Sequence, residues 1–208
     1  MSKDKISGFF DILILQIFCL RHKLYNKFFM KESLIFLPFI GISCWGLDFV
    51  FIKRFSRQEL KKNPAKLTNL YQYIREKCQY FSTYPCTTIN FVEGTRYTQA
   101  KAEKVGYKNT LAPQPMGLSI ILQELGAQKS QIIDVAIAYD EAQKNFLDFF
   151  FKENVKLTLH CRLVAVKQDL IGDYRQDKQY RQHFNAWLKG LWQEKDDLLT
   201  KLKQQLHD

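Results

Sequence analysis

The sequence predicts an α/β fold in which helices pack on a central mixed sheet. Two observations support this prediction. Short runs of β-branched and aromatic residues, typical of buried strands, alternate along the chain with longer segments whose apolar residues recur at helical spacing. The composition is that of a globular protein, with 46% hydrophobic and 25% charged residues in a chain of 208. We therefore expect one domain spanning residues 1–208.

Helices are predicted where apolar residues recur three and four positions apart. The clearest segment is 64–80, in which Leu67, Leu70 and Ile74 follow this spacing and Pro64 stands at the start. Helices are also predicted over 9–25, 111–125 and 174–206.

Strands are predicted where short buried runs lie between turn signals. These runs are 45–53, 87–91, 132–139 and 155–166. Residues 98–110 are polar and basic and predict a surface loop. In a sheet flanked by helices, ligands tend to bind outside the strand ends, so the loops there are the first place to look for a site.

The positive charge of the chain is concentrated in one early segment. The net charge is +10, and residues 21–62 hold nine basic and three acidic residues, or 9 − 3 = +6. The same segment contains the most apolar run, 34–47. An apolar surface with basic flanks is typical of a protein face that meets an anionic membrane. A spanning helix is disfavoured by Pro38 and Asp48, and a buried piece of the core is the third interpretation.

Two other classes of partner are not expected. The basic residues flank apolar runs and are not interleaved with exposed aromatic residues along one face, so nucleic-acid binding is disfavoured. The five cysteines form no C-x-x-C pair, and no residues have the spacing of metal ligands, so no metal is expected. The cysteines are interpreted as buried thiols.

The most informative motif is NFVEGTRYT, residues 90–98, at the end of a predicted strand. Gly94 permits a close backbone approach, Thr95 offers a hydroxyl, and Arg96 can form two parallel hydrogen bonds with a phosphate. Glu93 would orient Arg96 or an acceptor hydroxyl. The alternative is a turn closed by a local Glu/Arg pair. The motif predicts an anion site.

This motif resembles the phosphate-binding block of the glycerol-phosphate and 1-acylglycerol-3-phosphate acyltransferases. Further blocks follow in the expected order. FIKR, ending at Arg54, resembles the second block, and 112–117 resembles the segment that leads into the following helix. Strand 132–139 stands where the fourth block is expected, with Asp134 in place of its usual proline. KRFSRQELKKNP followed by NFVEGTRYT resembles the bacterial membrane-associated branch that acylates lysophosphatidic acid.

The resemblance implies a glycerol-phosphate acyltransferase-like fold and an activity. The expected reaction moves a fatty acyl group from a thioester of coenzyme A or acyl carrier protein to lysophosphatidic acid or a similar lysophospholipid. The thioester is a co-substrate, and no bound cofactor is expected. Arg54 and residues Glu93–Arg96 would bind the acceptor. The expected location is the cytoplasmic face of the inner membrane, as a peripheral protein.

The first block of the family departs from its pattern in this sequence. In the family this block is Asn-His-x-Ser-x-x-Asp, where the histidine is the general base for the acceptor hydroxyl and the aspartate orients the histidine ring. Asp11 matches the aspartate, but Ile6 stands at the histidine position and Lys5 at the asparagine position. The chain is therefore expected to lack the membrane anchor and the start of this block. Two hypotheses follow: an acyltransferase or its truncated copy, and a catalytically impaired relative that still binds lipid.

Overall fold

The computed structural model describes residues 7–32, 46, 49–53, 55, 57–83, 86–95, 97–126, 131–139 and 156–207. The apolar run 34–47 therefore lies outside the described residues apart from Gly46, as do Ile6, Arg54 and Arg96. The helices are α1 Ser7–Arg21, α2 Arg57–Lys62, α3 Ala65–Ser82, α4 Gln99–Val105, α5 Pro115–Leu125 and α6 Lys178–His207. The strands are β1 Asn26–Lys31, β2 Val50–Ile52, β3 Thr87–Asn90, β4 Ile132–Tyr139 and β5 Leu157–Val164.

These strands form two sheets. β1 lies between β2 and β3 and is parallel to both, and β4 and β5 form an antiparallel pair. Helices pack on the parallel sheet from both sides, which confirms the predicted α/β class.

Strand β1 is buried on both faces because helices pack on both sides of the parallel sheet. Phe28 packs with Leu15 of α1 in one apolar cluster. Phe29, which points to the opposite face, packs with Ile74 of α3 and Ile120 of α5 in another. The sequence did not predict β1, because NKFFMK has only three apolar residues and no alternation to mark it. The predicted helix 9–25 therefore ends earlier, at Arg21.

Three other predicted boundaries were wrong. The strand predicted over 45–53 is Val50–Ile52 in the described residues. The loop predicted over 98–110 contains helix α4, which buries Ala102 against the protein and ends at Gly106 in the left-handed conformation, with φ 78°. The helix predicted from residue 111 begins at Pro115, because residue 114 is extended and its N–H donates to Val92 O at 2.7 Å.

Helix α6 joins the two halves of the structure. Its first half packs Phe184, Leu188 and Trp192 against the segment around Tyr107 and Leu122. Its second half packs against the antiparallel pair through a cluster comprising Ala136, Ala138, Leu199 and Leu202. Among the residues that the structure describes, no helix is both long enough and apolar enough to cross a membrane.

Candidate functional site

The carboxyl ends of the three parallel strands meet at one edge of their sheet. Lys31 ends β1 opposite Ile52, the last residue of β2, and Asn90 ends β3. The exposed Lys53 follows β2, and the turn with Glu93 and Gly94 follows β3. The anion motif therefore lies at the edge where ligands bind in parallel sheets.

Gly94 makes the turn after β3 tight. Its φ is 68°, in the left-handed region that favours glycine, and its N–H donates to Phe91 O at 2.9 Å. Thr95 is exposed beyond the turn, and its Oγ1 accepts a hydrogen bond from Lys101 Nζ at 3.3 Å. The left-handed conformation explains why glycine stands at this position.

Glu93 points from this turn into the protein. Its Oε1 accepts a hydrogen bond from Trp192 Nε1 at 3.3 Å, and the carboxylate also accepts the backbone N–H of Leu111. Burial raises the pKa of the Glu93 carboxyl above its ordinary value, although these hydrogen bonds and the charge of Lys195 act in the opposite direction. The negative charge of Asp11 raises it further.

Asp11 reaches the same place from α1. Its Oδ1 accepts a hydrogen bond from the hydroxyl of Tyr139, the last residue of β4. Burial raises the pKa of Asp11, and both this hydrogen bond and Lys195 act to lower it. Burial and the adjacent Asp11 raise the pKa of the Tyr139 hydroxyl, so it remains protonated and acts as a donor. The two acids that the motifs identified are partly buried and interact electrostatically.

Lys195 supplies the positive charge of this site. Its Nζ lies 2.7 Å from Asp134 Oδ1 and 4.7 Å from the centre of the Trp192 ring. Asp134 is buried and also accepts Arg162 Nε at 3.0 Å. Asp134 therefore has a clear role, since it holds the lysine whose charge lowers the pKa of both Asp11 and Glu93.

The buried carboxylate of Asp196 fixes the segment next to Glu93. Its Oδ1 accepts the backbone N–H groups of Asn109 and Thr110 at 2.7 and 2.8 Å and the Thr110 hydroxyl at 2.9 Å. Its Oδ2 accepts the N–H of Lys108 at 2.9 Å. The next residue, Leu111, donates its N–H to Glu93, so Asp196 orients that donor.

Three of the histidines lie in different parts of the structure. His22 directly follows α1, and the centre of its ring lies 4.5 Å from the centre of the Phe18 ring. His183 Nε2 is 3.1 Å from Asp169. His160 lies opposite Ala136, on the α6 side of the antiparallel pair, whereas Tyr139 and Asp11 meet on the other side.

The motifs predicted two members of the site and not the others. Asp11 and Glu93 come together, and Gly94 and Thr95 form the adjoining turn, while Arg54 and Arg96 lie outside the described residues. Tyr139, Trp192 and Lys195 were not predicted. Each belongs to an element that the sequence marks only by its apolar pattern, so no local signal distinguishes them. In the part of the chain that the structure describes, no group of three or more His, Cys, Asp or Glu is placed to hold a metal ion.

The raised pKa of the partly buried Glu93 carboxyl predicts that the stability of the protein depends on pH. Because its pKa is raised in the folded state, the folded protein binds more protons than the unfolded chain between the ordinary and the raised pKa, and its stability falls as pH rises through that window. Glu93→Gln removes this loss, so its stability relative to the wild type should be more favourable at about pH 8 than at about pH 5. Urea unfolding at both pH values measures this difference. Glu103→Gln, on the exposed side of α4, is the control, and an equal effect of Glu93→Gln at the two pH values would contradict the prediction.

The sequence is similar to curated proteins over most of its length. An uncharacterized acyltransferase of Saccharomyces cerevisiae is 26% identical over an alignment of 209 positions, and the alignment covers 82% of this chain and 50% of the yeast protein. The proteins named 1-acyl-sn-glycerol-3-phosphate acyltransferase delta of Homo sapiens and Pongo abelii are each 25% identical over an alignment of 182 positions, which covers 82% of this chain and 44% of theirs.

The chain thus spans about half the length of the curated relatives that it matches. No family model matches it, and no solved structure matches it. All three similar proteins are named acyltransferases, and these weak similarities support a relationship with the acyltransferases.

Proposed function

We propose that this chain acts as an acyltransferase, moving a fatty acyl group from a thioester of coenzyme A or acyl carrier protein to lysophosphatidic acid or a similar lysophospholipid. The electrostatic interaction between Asp11 and Glu93 carries the proposal. These residues match separate motif blocks of the family, and both are partly buried with charges that interact, Glu93 lying in the turn after β3. Relatives named for this activity support the same assignment.

The turn after β3 would bind the phosphate of the acceptor. Gly94 brings backbone close, Thr95 presents an exposed hydroxyl, and Arg96 follows directly. Lys53 lies at the same sheet edge and precedes Arg54. A guanidinium that forms two hydrogen bonds with a phosphate oxygen pair gives both affinity and orientation. Glu93 would then orient the acceptor hydroxyl or Arg96 from the buried side.

The chemical step requires a general base beside Asp11. A base takes the proton of the acceptor hydroxyl, whose oxygen attacks the thioester carbonyl carbon; the new C–O bond forms, the C–S bond breaks, and the thiol leaves with a proton. Tyr139 occupies one lone pair of Asp11 Oδ1, and a carboxylate retains further acceptor sites for an imidazole N–H. Ile6 stands at the position of that imidazole.

The replacement by Ile6 supports a second candidate function on the same site. Loss of a positioned general base typically costs about 10²- to 10⁴-fold in rate, while binding of the phosphate is unaffected. A relative of this kind would bind lysophosphatidate and acylate it poorly. In either case we propose attachment to the cytoplasmic face of the inner membrane, supported by the +6 charge of residues 21–62.

A single assay separates the two functions. The purified chain is incubated with lysophosphatidate and acyl coenzyme A, or acyl carrier protein carrying the same chain, and formation of phosphatidate is measured beside equilibrium binding of lysophosphatidate. Turnover supports the enzyme, and binding without turnover supports the impaired relative. A chain that neither binds nor turns over lysophosphatidate would contradict both.

A further inference from the structure

Helix α6 lies outside every block that resembles the acyltransferase family, yet one turn of it acts on an acid of the site. The last of those blocks is strand β4, and α6 follows both strands of the antiparallel pair. Trp192, Lys195 and Asp196 stand on this turn. Each of them influences Glu93, in the turn after β3, and each does so by a different kind of interaction.

Trp192 gives Glu93 a side-chain hydrogen-bond donor. Trp192 is 6% exposed, and its Nε1–H donates to Glu93 Oε1 at 3.3 Å. A buried indole needs such a partner, because its N–H is a donor that water cannot reach. The contact joins α6 to the turn after β3, and it restricts the orientation of the Glu93 side chain.

Lys195 holds the indole ring in addition to supplying charge. It follows Trp192 by three residues on the same side of α6, and its Nζ lies 4.7 Å from the centre of the Trp192 ring. The ammonium is bound by Asp134 Oδ1 of β4 at 2.7 Å, and Arg162 Nε of β5 donates to Asp134 Oδ2 at 3.0 Å. A chain of contacts therefore runs from the antiparallel pair through Lys195 and Trp192 to Glu93.

Asp196 acts on Glu93 indirectly, through the backbone. It accepts the N–H groups of residues 108–110, and the next N–H along the chain, that of Leu111, donates to the Glu93 carboxylate. The carboxylate thus accepts from an indole and from a backbone amide, and both donors are positioned from the same turn of α6. Donors that are already in place when a ligand arrives lower the cost of binding it.

We propose that this turn of α6, residues 192–196, positions the Glu93 carboxylate, with Trp192 as the residue that orients it and Lys195 as the residue that holds Trp192. The inference rests on the proposed function in one respect, since Glu93 is taken to orient the acceptor hydroxyl or Arg96. A misplaced Glu93 would orient neither, so loss of the indole donor should weaken binding of the acceptor.

The charges around Glu93 provide a measurement that distinguishes positioning from a general role in packing. The residues that interact electrostatically with Glu93 include Asp11 of α1, Lys195 of α6 and Tyr97. The Trp192 hydrogen bond and the Lys195 charge both lower the pKa of Glu93, against the effect of burial. Removing either should therefore raise this pKa further. A change that only loosened the core and admitted water would instead lower it toward its ordinary value.

Nitrogen-15 NMR of the full chain tests the contact without any substrate. The indole resonance that disappears in Trp192→Phe is that of Trp192, and in the wild type its shift should follow the titration of Glu93. Glu93→Gln should abolish this titration. The indole of Trp187, which packs with Phe184 on the same helix, is the internal control and should not respond to Glu93→Gln. A Trp192 resonance that does not respond to Glu93→Gln would overturn the proposal.

The pKa of Glu93 is measured from its side-chain carboxyl carbon-13 resonance, assigned by its loss in Glu93→Gln. Trp192→Phe keeps an aromatic ring without the donor, and Lys195→Met keeps the stem without the charge, so each should raise this pKa. Lys195→Arg should restore it toward the wild-type value. Trp187→Phe and Lys201→Met, elsewhere on α6, are the matched controls and should leave it unchanged. A pKa that both variants leave unchanged or lower would overturn the proposal.

Binding of lysophosphatidate connects this geometry with function. Trp192→Phe and Lys195→Met should each bind it about 10-fold more weakly than the wild type, and Trp187→Phe and Lys201→Met should bind it equally well. Wild-type protein that does not bind lysophosphatidate would contradict the proposed function, while the two NMR measurements would still decide whether α6 positions Glu93. Binding that is the same in the wild type and all four variants would overturn the proposal and leave the proposed function standing.

Discussion

Replacing Ile6 with histidine, together with Lys5→Asn, is expected to raise acyl transfer to lysophosphatidate by about 10²- to 10⁴-fold. The substitution restores the histidine five residues before Asp11. Asp11 is partly buried and accepts a hydrogen bond from Tyr139, so it is held in position to orient an imidazole, and its charge interacts with that of Glu93. Initial rates of phosphatidate formation by the wild type and the variant measure the effect.

The control for this gain keeps the new histidine and removes its orienting partner. In the Ile6→His background, Asp11→Asn should lose most of the added rate, because the imidazole would lack the carboxylate that sets its tautomer and stabilises its charged form. Tyr139→Phe removes only the hydrogen bond to Asp11 and should have a smaller effect. An Ile6→His variant that is no faster than the wild type would contradict the hypothesis that only the base is missing.

Asp196→Ala is expected to destabilise the protein by about 3–5 kcal/mol, the largest effect on stability that we predict. The carboxylate is 2% exposed and accepts three backbone N–H groups and the Thr110 hydroxyl. Removing it leaves the N–H and the hydroxyl of Thr110 buried without an acceptor, and the N–H groups of Lys108 and Asn109 lose their acceptor in a partly buried place. Urea unfolding measures the free energy of unfolding, with an unchanged slope indicating that the transition is still two-state.

A graded series separates this effect from a general sensitivity of α6. Asp196→Asn retains an oxygen for the donors at Oδ1 and places an amide against the Lys108 N–H, so it should cost less, about 1–2 kcal/mol. Asp197→Ala removes the exposed neighbour and should change stability by less than about 0.5 kcal/mol. Equal effects at positions 196 and 197 would show that Asp196 does not hold the segment 108–110.

The sequence predicted the elements in which apolar residues recur at a regular spacing or form a continuous run. Strand Ile132–Tyr139 has the predicted bounds, because a long apolar run between polar segments marks both of its ends. Strand β1 was missed because its burial depends on its place in the fold, between β2 and β3 and with helices on both faces. The residues Asn26–Lys31 carry no regular pattern that marks such a strand. Helix α4 was missed because a short, polar helix with one buried residue looks like a loop in sequence.

The candidate site, like the fold, combines residues that short motifs identify with residues that only the tertiary structure brings there. Asp11 and Glu93 could be identified because each belongs to a short motif of fixed spacing. Their partners could not, since Tyr139 and Lys195 reach them from other elements of the fold. Asp134 was noticed only as a departure from a family pattern, and its contact with Lys195 explains why an acid is accommodated there.

Recognition of the lysophospholipid phosphate is decided most simply by calorimetric titration with lysophosphatidate and with monoacylglycerol of the same chain length. Both functions proposed for this chain require the phosphate to bind at the turn after β3. We expect lysophosphatidate to bind at least about 10-fold more tightly than monoacylglycerol, with Arg96→Ala losing most of that preference and Lys104→Ala retaining it. Equal affinities for the two lipids, or a preference that Arg96→Ala leaves unchanged, would contradict phosphate recognition at this turn.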